Sequence, residues 1–213
     1  MSRLRRERVA AAGLLIAAAA LALHGQPGPA ERLARLEPEL EALLSERRVQ
    51  LDPAELLGLM HDNRLTLRIL DVRDEAEFNL FHLLDAQRVE PEELARTAPP
   101  PGLPPEAVVV VVSADEQRAT LAWRRLRASG VRQAYLLGGG LNLWLDVFRA
   151  GRTDAVPAVG VSAGAERLRH DFDAALGQRW PWSRPPAEAA AQRPFTPRVQ
   201  VQRARRGEGG GCG

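Results

Sequence analysis

The pattern of apolar and polar positions changes character along the chain. Val9 to Leu23 is an uninterrupted apolar run behind a basic head, "MSRLRRER". From Ala30 to Arg48, leucines at 33, 36, 40, 43 and 44 form a helical stripe with charges elsewhere, interrupted by Pro38. This predicts a helix after Pro38 and a looser stretch before it, either a spacer or a segment packed on the domain. From Val49 short apolar runs alternate with amphipathic ones. "VQL" reads as a strand, and Asp52-Pro53 opens a helix as N-cap and first helical residue. "LRILDV" is an apolar strand, "DEAEFNLFHL" a short helix and loop, "AQRV" another strand and "EPEELART" a short helix. After the proline-rich "APPPGLPPE" come five consecutive valines, Val108 to Val112, which fit a strand covered on both faces. "QRATLAWRRLRASG" is a helix ended by Gly130, "QAYLL" a strand and "GLNLWLDVFRAG" a closing helix.

Strands separated by helices predict an α/β fold, a single domain over residues 49–151 with a central parallel sheet of about five strands and helices on both sides. Around it the chain divides into 1–29, a signal peptide or membrane anchor with its linker; 30–48, a helical lead-in; 152–178, a partly helical extension; and 179–213. In the extension, Ala163 to Leu176 predicts one helix with Leu168, Phe172, Ala175 and Leu176 on one face. Residues 179–213, rich in proline, arginine and glycine and ending "GEGGGCG", predict disorder.

Four arginines ahead of the first apolar run fit the positive-inside pattern. Its fifteen residues suit a secretory signal and fall short of the ~20 of a spanning helix. Ala20-Leu21-Ala22 offers a cleavage site inside the run, so an uncleaved anchor is the competing expectation. Either one exports the body to the periplasm or holds it outside the cytoplasmic membrane. Charge adds that the ends are basic and the body is not. Residues 1–29 hold four Arg against one Glu, residues 179–213 seven Arg against two acids, and the middle 18 Arg against 24 acids. An acidic body argues against nucleic acid as a partner. One cysteine, Cys212, and four scattered histidines exclude an intramolecular disulfide and give no ligand spacing, so no metal and no cofactor are expected.

The candidate chemistry lies after the five valines, in Ser113, Ala114, Asp115, Glu116, Gln117 and Arg118. A loop from a strand's carboxyl end to a helix's amino end is where open α/β sheets bind ligands, and its N–H groups attract anions. Asp115 and Glu116 are of the wrong sign for an anion, and can fold back to cap those donors.

Three stretches together resemble the rhodanese-like domain family. They are "ILDVRDEAEFNLFHLLDAQRV", with Asp71, Arg73, Glu77, Phe78 and His82; "VVVVVSADEQRA"; and "YLLGGGLNLW", with Gly139-Gly140 and Trp144. The resemblance covers about half the chain and implies sulfur transfer by a loop cysteine that becomes a persulfide, with an arginine five residues later. Counting back from Arg118 places Ser113 at that nucleophile position. Serine is far less ionised than a thiol and cannot hold a persulfide. Arginine-assisted phosphatases of the same shape need the same cysteine. No catalytic residue is therefore assigned, and the expectation is an inactive rhodanese-like domain acting as a binding or scaffold module for an unidentified protein partner. Two alternatives stand beside it: an atypical sulfurtransferase or persulfide carrier using Cys212 or a partner's thiol, and an interaction protein acting through its arginine-rich tail.

Other marked residues have plainer expectations. Asp71 and Arg73 are pocket-lining candidates, with a structural ion pair the favoured role. Gly138 to Gly140 predict a tight turn of positive φ. Trp123 and Trp144 predict core packing. Trp180 and Trp182 are either partner or membrane anchors or incidental.

Overall fold

The computed structural model describes residues 28–96, 99–149, 167–170, 172, 180–191, 194–197, 199 and 201. The signal or anchor segment and Cys212 lie outside the described residues. Among the described residues no helix is long and apolar enough to cross a membrane.

The chain begins with helix α1 (Pro29–Ser45), then β1 (Gln50–Leu51), α2 (Pro53–Met60), β2 (Leu67–Asp71), α3 (Glu75–Leu80), β3 (Ala86–Arg88) and α4 (Pro91–Arg96). It continues with β4 (Val108–Val112), α5 (Gln117–Ala128), β5 (Ala134–Leu137) and α6 (Gly140–Phe148). The five strands form one parallel sheet in the order β1-β5-β4-β2-β3. This is the α/β architecture that the alternating pattern predicts.

The five valines show why the sheet needs cover on both faces. Successive side chains of a strand point to opposite faces. Val108, Val110 and Val112 enter a core with Leu56, Leu57, Phe81, Leu141 and Trp144, while Val109 and Val111 enter a second with Leu40, Trp123 and Leu126. Trp123 and Trp144 are wholly buried, as expected, and each indole N–H reaches a carbonyl at 2.7 Å, of Ala134 and of Trp182.

Helix α1 runs through Pro38 without the break expected there. An interior proline costs a helix about 3 kcal/mol, and tertiary contacts offset that. Leu40 is fully buried against α5, and Arg124 of α5 pairs with both Glu37 and Glu41, one turn apart on either side of Pro38. The lead-in is thus packed on the domain.

The C-terminal expectations are also corrected where residues are described. Arg167 to His170 and Phe172, within the expected helix, carry no helical structure. The described residues between 180 and 201, expected to be disordered, lie along the face of α2 and α6. A single 3-10 turn spans Pro181–Ser183, and α7 (Glu188–Ala191) packs on α2. Trp180 and Trp182 stack at 4.9 Å between ring centres, and Val199 is buried in the first core. Apolar side chains spaced through an arginine- and proline-rich composition suffice to dock the segment, which composition alone did not convey. The two tryptophans therefore anchor their own chain.

Candidate functional site

The strand register brings the loops that matter together. Asp71 is opposite Val112, and Val111 is opposite Leu136, so the chain leaves β2, β4 and β5 side by side at the sheet's carboxyl edge. Ser113 follows β4 directly, Arg118 lies in the first turn of α5, and Gly138 to Gly140 lead from β5 into α6.

Ser113 is completely buried. Its hydroxyl donates to the Asp115 carbonyl at 3.0 Å and accepts the Ala119 N–H at 3.2 Å. Ala119 is the third residue of α5, and Glu116 at the N-cap makes no side-chain cap of its own. Ser113 thus satisfies one of the orphan N–H groups of α5, as a capping side chain does. Ala114 is buried as well, and the carbonyls of Ser113 and Ala114 accept the N–H groups of Leu141 and Asn142 at 2.9 Å each. Gln117 is exposed.

The two loop acids do not cap their own helix in the way the sequence predicts; they reach the neighbouring one. The Glu116 carboxylate accepts the Gly139 N–H at 2.6 Å and two bonds from the Arg47 guanidinium, at 2.8 and 3.1 Å. Gly139 is the N-cap of α6, where the helix dipole and free N–H groups favour an anion. Asp115 accepts from the Asn142 side-chain amide at 3.0 Å. Loop and helix sit so close that a Cβ on Gly140 would meet the Asp115 carbonyl oxygen at 2.1 Å. Gly139 and Gly140 have φ of 69° and 61°, so the tight turn of positive φ is present.

Arg118 reaches toward Glu77 and Asp74 of the α3 start, at 3.8 and 4.0 Å. His82 is engaged elsewhere, its Nδ1 2.8 Å from the Phe78 carbonyl and its ring stacked on Phe78. Asp71 and Arg73 form the ion pair, at 2.6 Å with no exposed surface on either side chain, and Arg73 also donates to the Phe81 carbonyl at 2.5 Å. They pin the chain after β2 and do not line an open pocket.

Four participants were not legible in the sequence: Arg47, Asn142, Glu77 as a side-chain acceptor of a backbone N–H, and the segment at 167–170. Asn142, fully buried, donates to the Arg167 carbonyl at 2.8 Å and accepts the Arg169 N–H at 2.7 Å; Glu77 accepts the Leu168 N–H at 3.0 Å. An asparagine in the first turn after a glycine run is a faint signal. The partner segment gives none.

An open cleft of about 1130 Å³ lies elsewhere, between α2 and the described residues Ala190, Ala191, Phe195, Pro197, Val199 and Val201, and none of its lining comes from the loop. Glu55, on its wall, has its carboxyl pushed up to about 7 by burial, against the pull of its hydrogen bond with the Asp52 backbone. Asp52 in turn accepts the Ala54 N–H at 2.9 Å. Glu55, in the first turn of α2, thus has a structural role here through its bond with the Asp52 backbone.

Comparison with known proteins places residues 52–146 under the family model described as rhodanese-like domain. Among solved structures, the rhodanese-like domain of an Anabaena protein is 22% identical, covering 58% of this chain and 98% of that one with a TM-score of 0.42. A rhodanese-related protein of Thermoplasma volcanium is 20% identical, covering 46% and 90%, with a TM-score of 0.40. A Rhodopseudomonas palustris protein described as of unknown function is 19% identical, covering 57% and 96%, with a TM-score of 0.42. No curated protein matches the chain.

Proposed function

Residues 52–146 being a rhodanese-like domain, we propose that this protein is a binding or scaffold module whose loop after β4 performs no sulfur transfer. The family's loop carries a cysteine five residues before its arginine, and that count from Arg118 falls on Ser113. Sulfur transfer needs a thiolate, which attacks sulfur and holds it as a persulfide. A serine needs an adjacent base to act as a nucleophile at all.

The observation that carries the reading is the commitment of the Ser113 hydroxyl. Its O–H donates to the Asp115 carbonyl and its oxygen accepts the Ala119 N–H, with no surface exposed. Glu116 adds a second obstacle, because its carboxylate already holds the Gly139 N–H at the start of α6. The basic head and apolar run of residues 1–29 support export or membrane anchoring, with the domain outside the cytoplasmic membrane. Mass spectrometry of the mature N-terminus tells cleavage from anchoring.

The deciding experiment is thiosulfate:cyanide sulfurtransferase activity of the full chain. The expected result is no turnover above background. Turnover comparable with a cysteine-bearing rhodanese overturns the proposal. Ser113→Cys is expected to stay near background while Glu116 and the capping geometry persist. Full activity from that single change would remove Glu116 from the account.

A further inference from the structure

Two residues on one face of α2 cost the fold stability. Glu55 is half-buried, and burial pushes its carboxyl up to about 7, so the folded chain disfavours its charge. Gly58 stands three residues on, inside the helix, where glycine is a poor helix former. The backbone does not require it. No atom lies within 4 Å of where a Cβ would stand, and its φ is not positive. Residues three apart share a helix face, and both line the open cleft between α2 and the C-terminal segment.

The cleft has the makings of a small-molecule site. Its volume of about 1130 Å³ is on the scale of such sites, which pair apolar walls with a few placed polar groups. Leu59, Ala190, Phe195 and Val199 supply apolar wall, and Gly58 adds no side chain to fill the space. The other polar groups on the lining are already engaged. Asp62 accepts from the Arg64 guanidinium at 2.8 and 2.9 Å, and His61 Nε2 is 2.9 Å from the Pro185 carbonyl. Glu55 differs from them. Among the described residues no cation pairs with it, and the charge that acts on it, Asp52, has the same sign. A cation brought beside a half-buried carboxylate favours its charged form, so a ligand of that sign offsets the cost the empty fold carries.

We propose that this cleft is a binding site for a small organic amine, an ammonium group on an apolar body, with Glu55 as its counter-ion. The apolar body lies against Leu59, Phe195 and Val199, in the space that Gly58 leaves open. The site goes beyond the reading of the loop after β4, since none of the loop lines it.

The probe is hexylammonium, followed by equilibrium dialysis against the full chain at pH 8, where Glu55 is charged. Saturable binding of one equivalent is expected, at least ten-fold tighter than hexanol, with hexanoate at background. Glu55→Gln is expected to weaken hexylammonium at least ten-fold and to leave hexanol unchanged. A purely structural role for Glu55 would not alter that selectivity. Gly58→Leu fills the cleft with a better helix former. It is expected to weaken both ligands at least ten-fold while the thermal midpoint holds or rises. Absence of saturable binding overturns the proposal, as does equal affinity for hexylammonium and hexanoate. Unchanged hexylammonium affinity in Glu55→Gln or in Gly58→Leu places the amine elsewhere and also overturns it. A lysine tripeptide that binds more tightly than hexylammonium assigns the cleft to a protein partner, which counts against it equally.

Discussion

The Glu116 carboxylate lies 2.6 Å from the Gly139 N–H, so a loop acid occupies the anion-favouring start of the next helix. Arg47, in the turn between α1 and β1, holds the same carboxylate with two bonds. The three groups make an internal anion site that is already filled. Removing the acid should therefore free it. Glu116→Ala is expected to lose about 1–2 kcal/mol of stability, as for a charge-assisted hydrogen bond at a partly exposed site. The variant should also gain a sulfate-dependent rise in Tm, because a ligand bound only by the folded state stabilises it. Thermal unfolding with and without sulfate tests this; an identical sulfate response in wild type and variant would refute it.

Asp71 and Arg73 are buried with no exposed surface, and breaking such a pair leaves a charge without its partner. Asp71→Asn and Arg73→Met should each cost about 3–5 kcal/mol, and the double change less than the sum of the two. Urea unfolding of the three variants measures the coupling. Additive losses would mean that the pair is not the unit described.

Two glycines separate space from conformation. Gly58, in α2, has no atom within 4 Å of where a Cβ would stand. Gly58→Ala should stabilise by about 0.5–1 kcal/mol through helix propensity. Gly140→Ala meets a carbonyl oxygen at 2.1 Å and adopts a φ of 61°, so it should be among the most disruptive single substitutions at the site. Comparable midpoints for the two variants in urea would contradict this packing.

Glu55 gives stability a pH dependence. Its carboxyl is raised from 4.5 to about 7 in the folded chain, chiefly by burial, so the fold disfavours the charged form. The cost is absent below about pH 4.5, where the group is neutral folded and unfolded, and grows until pH passes about 7. Glu55→Gln keeps a hydrogen-bonding side chain beside the Asp52 backbone and should match wild type at pH 4. At pH 8 it should be more stable, by about 1 kcal/mol once screening of this half-buried group is allowed for. Equal stability of the two proteins at both pH values would rule this out.

The order of strands and helices was legible because each rests on local periodicity. Five valines need a sheet covered on both sides, and Asp52-Pro53 opens α2 as their chemistry predicts. The loop from Ser113 to Arg118 and the turn at Gly139 and Gly140 were legible for the same reason. Each is a junction between elements already defined. The course of α1 through Pro38 was not, since the rescue comes from Arg124, far along the chain. Nor was the docking of the described residues between 180 and 201, whose sparse tryptophans and valine gain their worth only against a core that composition does not display.

Backbone propensity and apolar spacing act between near neighbours, and they are enough to specify the parallel sheet, its helices and the place of the loop. Where the loop's side chains go depends on packing between distant parts of the chain. That packing set Ser113 as a cap for α5, sent Glu116 to Arg47 and Gly139, and laid residues 167–170 across Asn142 and Glu77. Hydrogen bonds and charges find their partners in space, and residues distant in sequence become such partners only once the sheet has set its register.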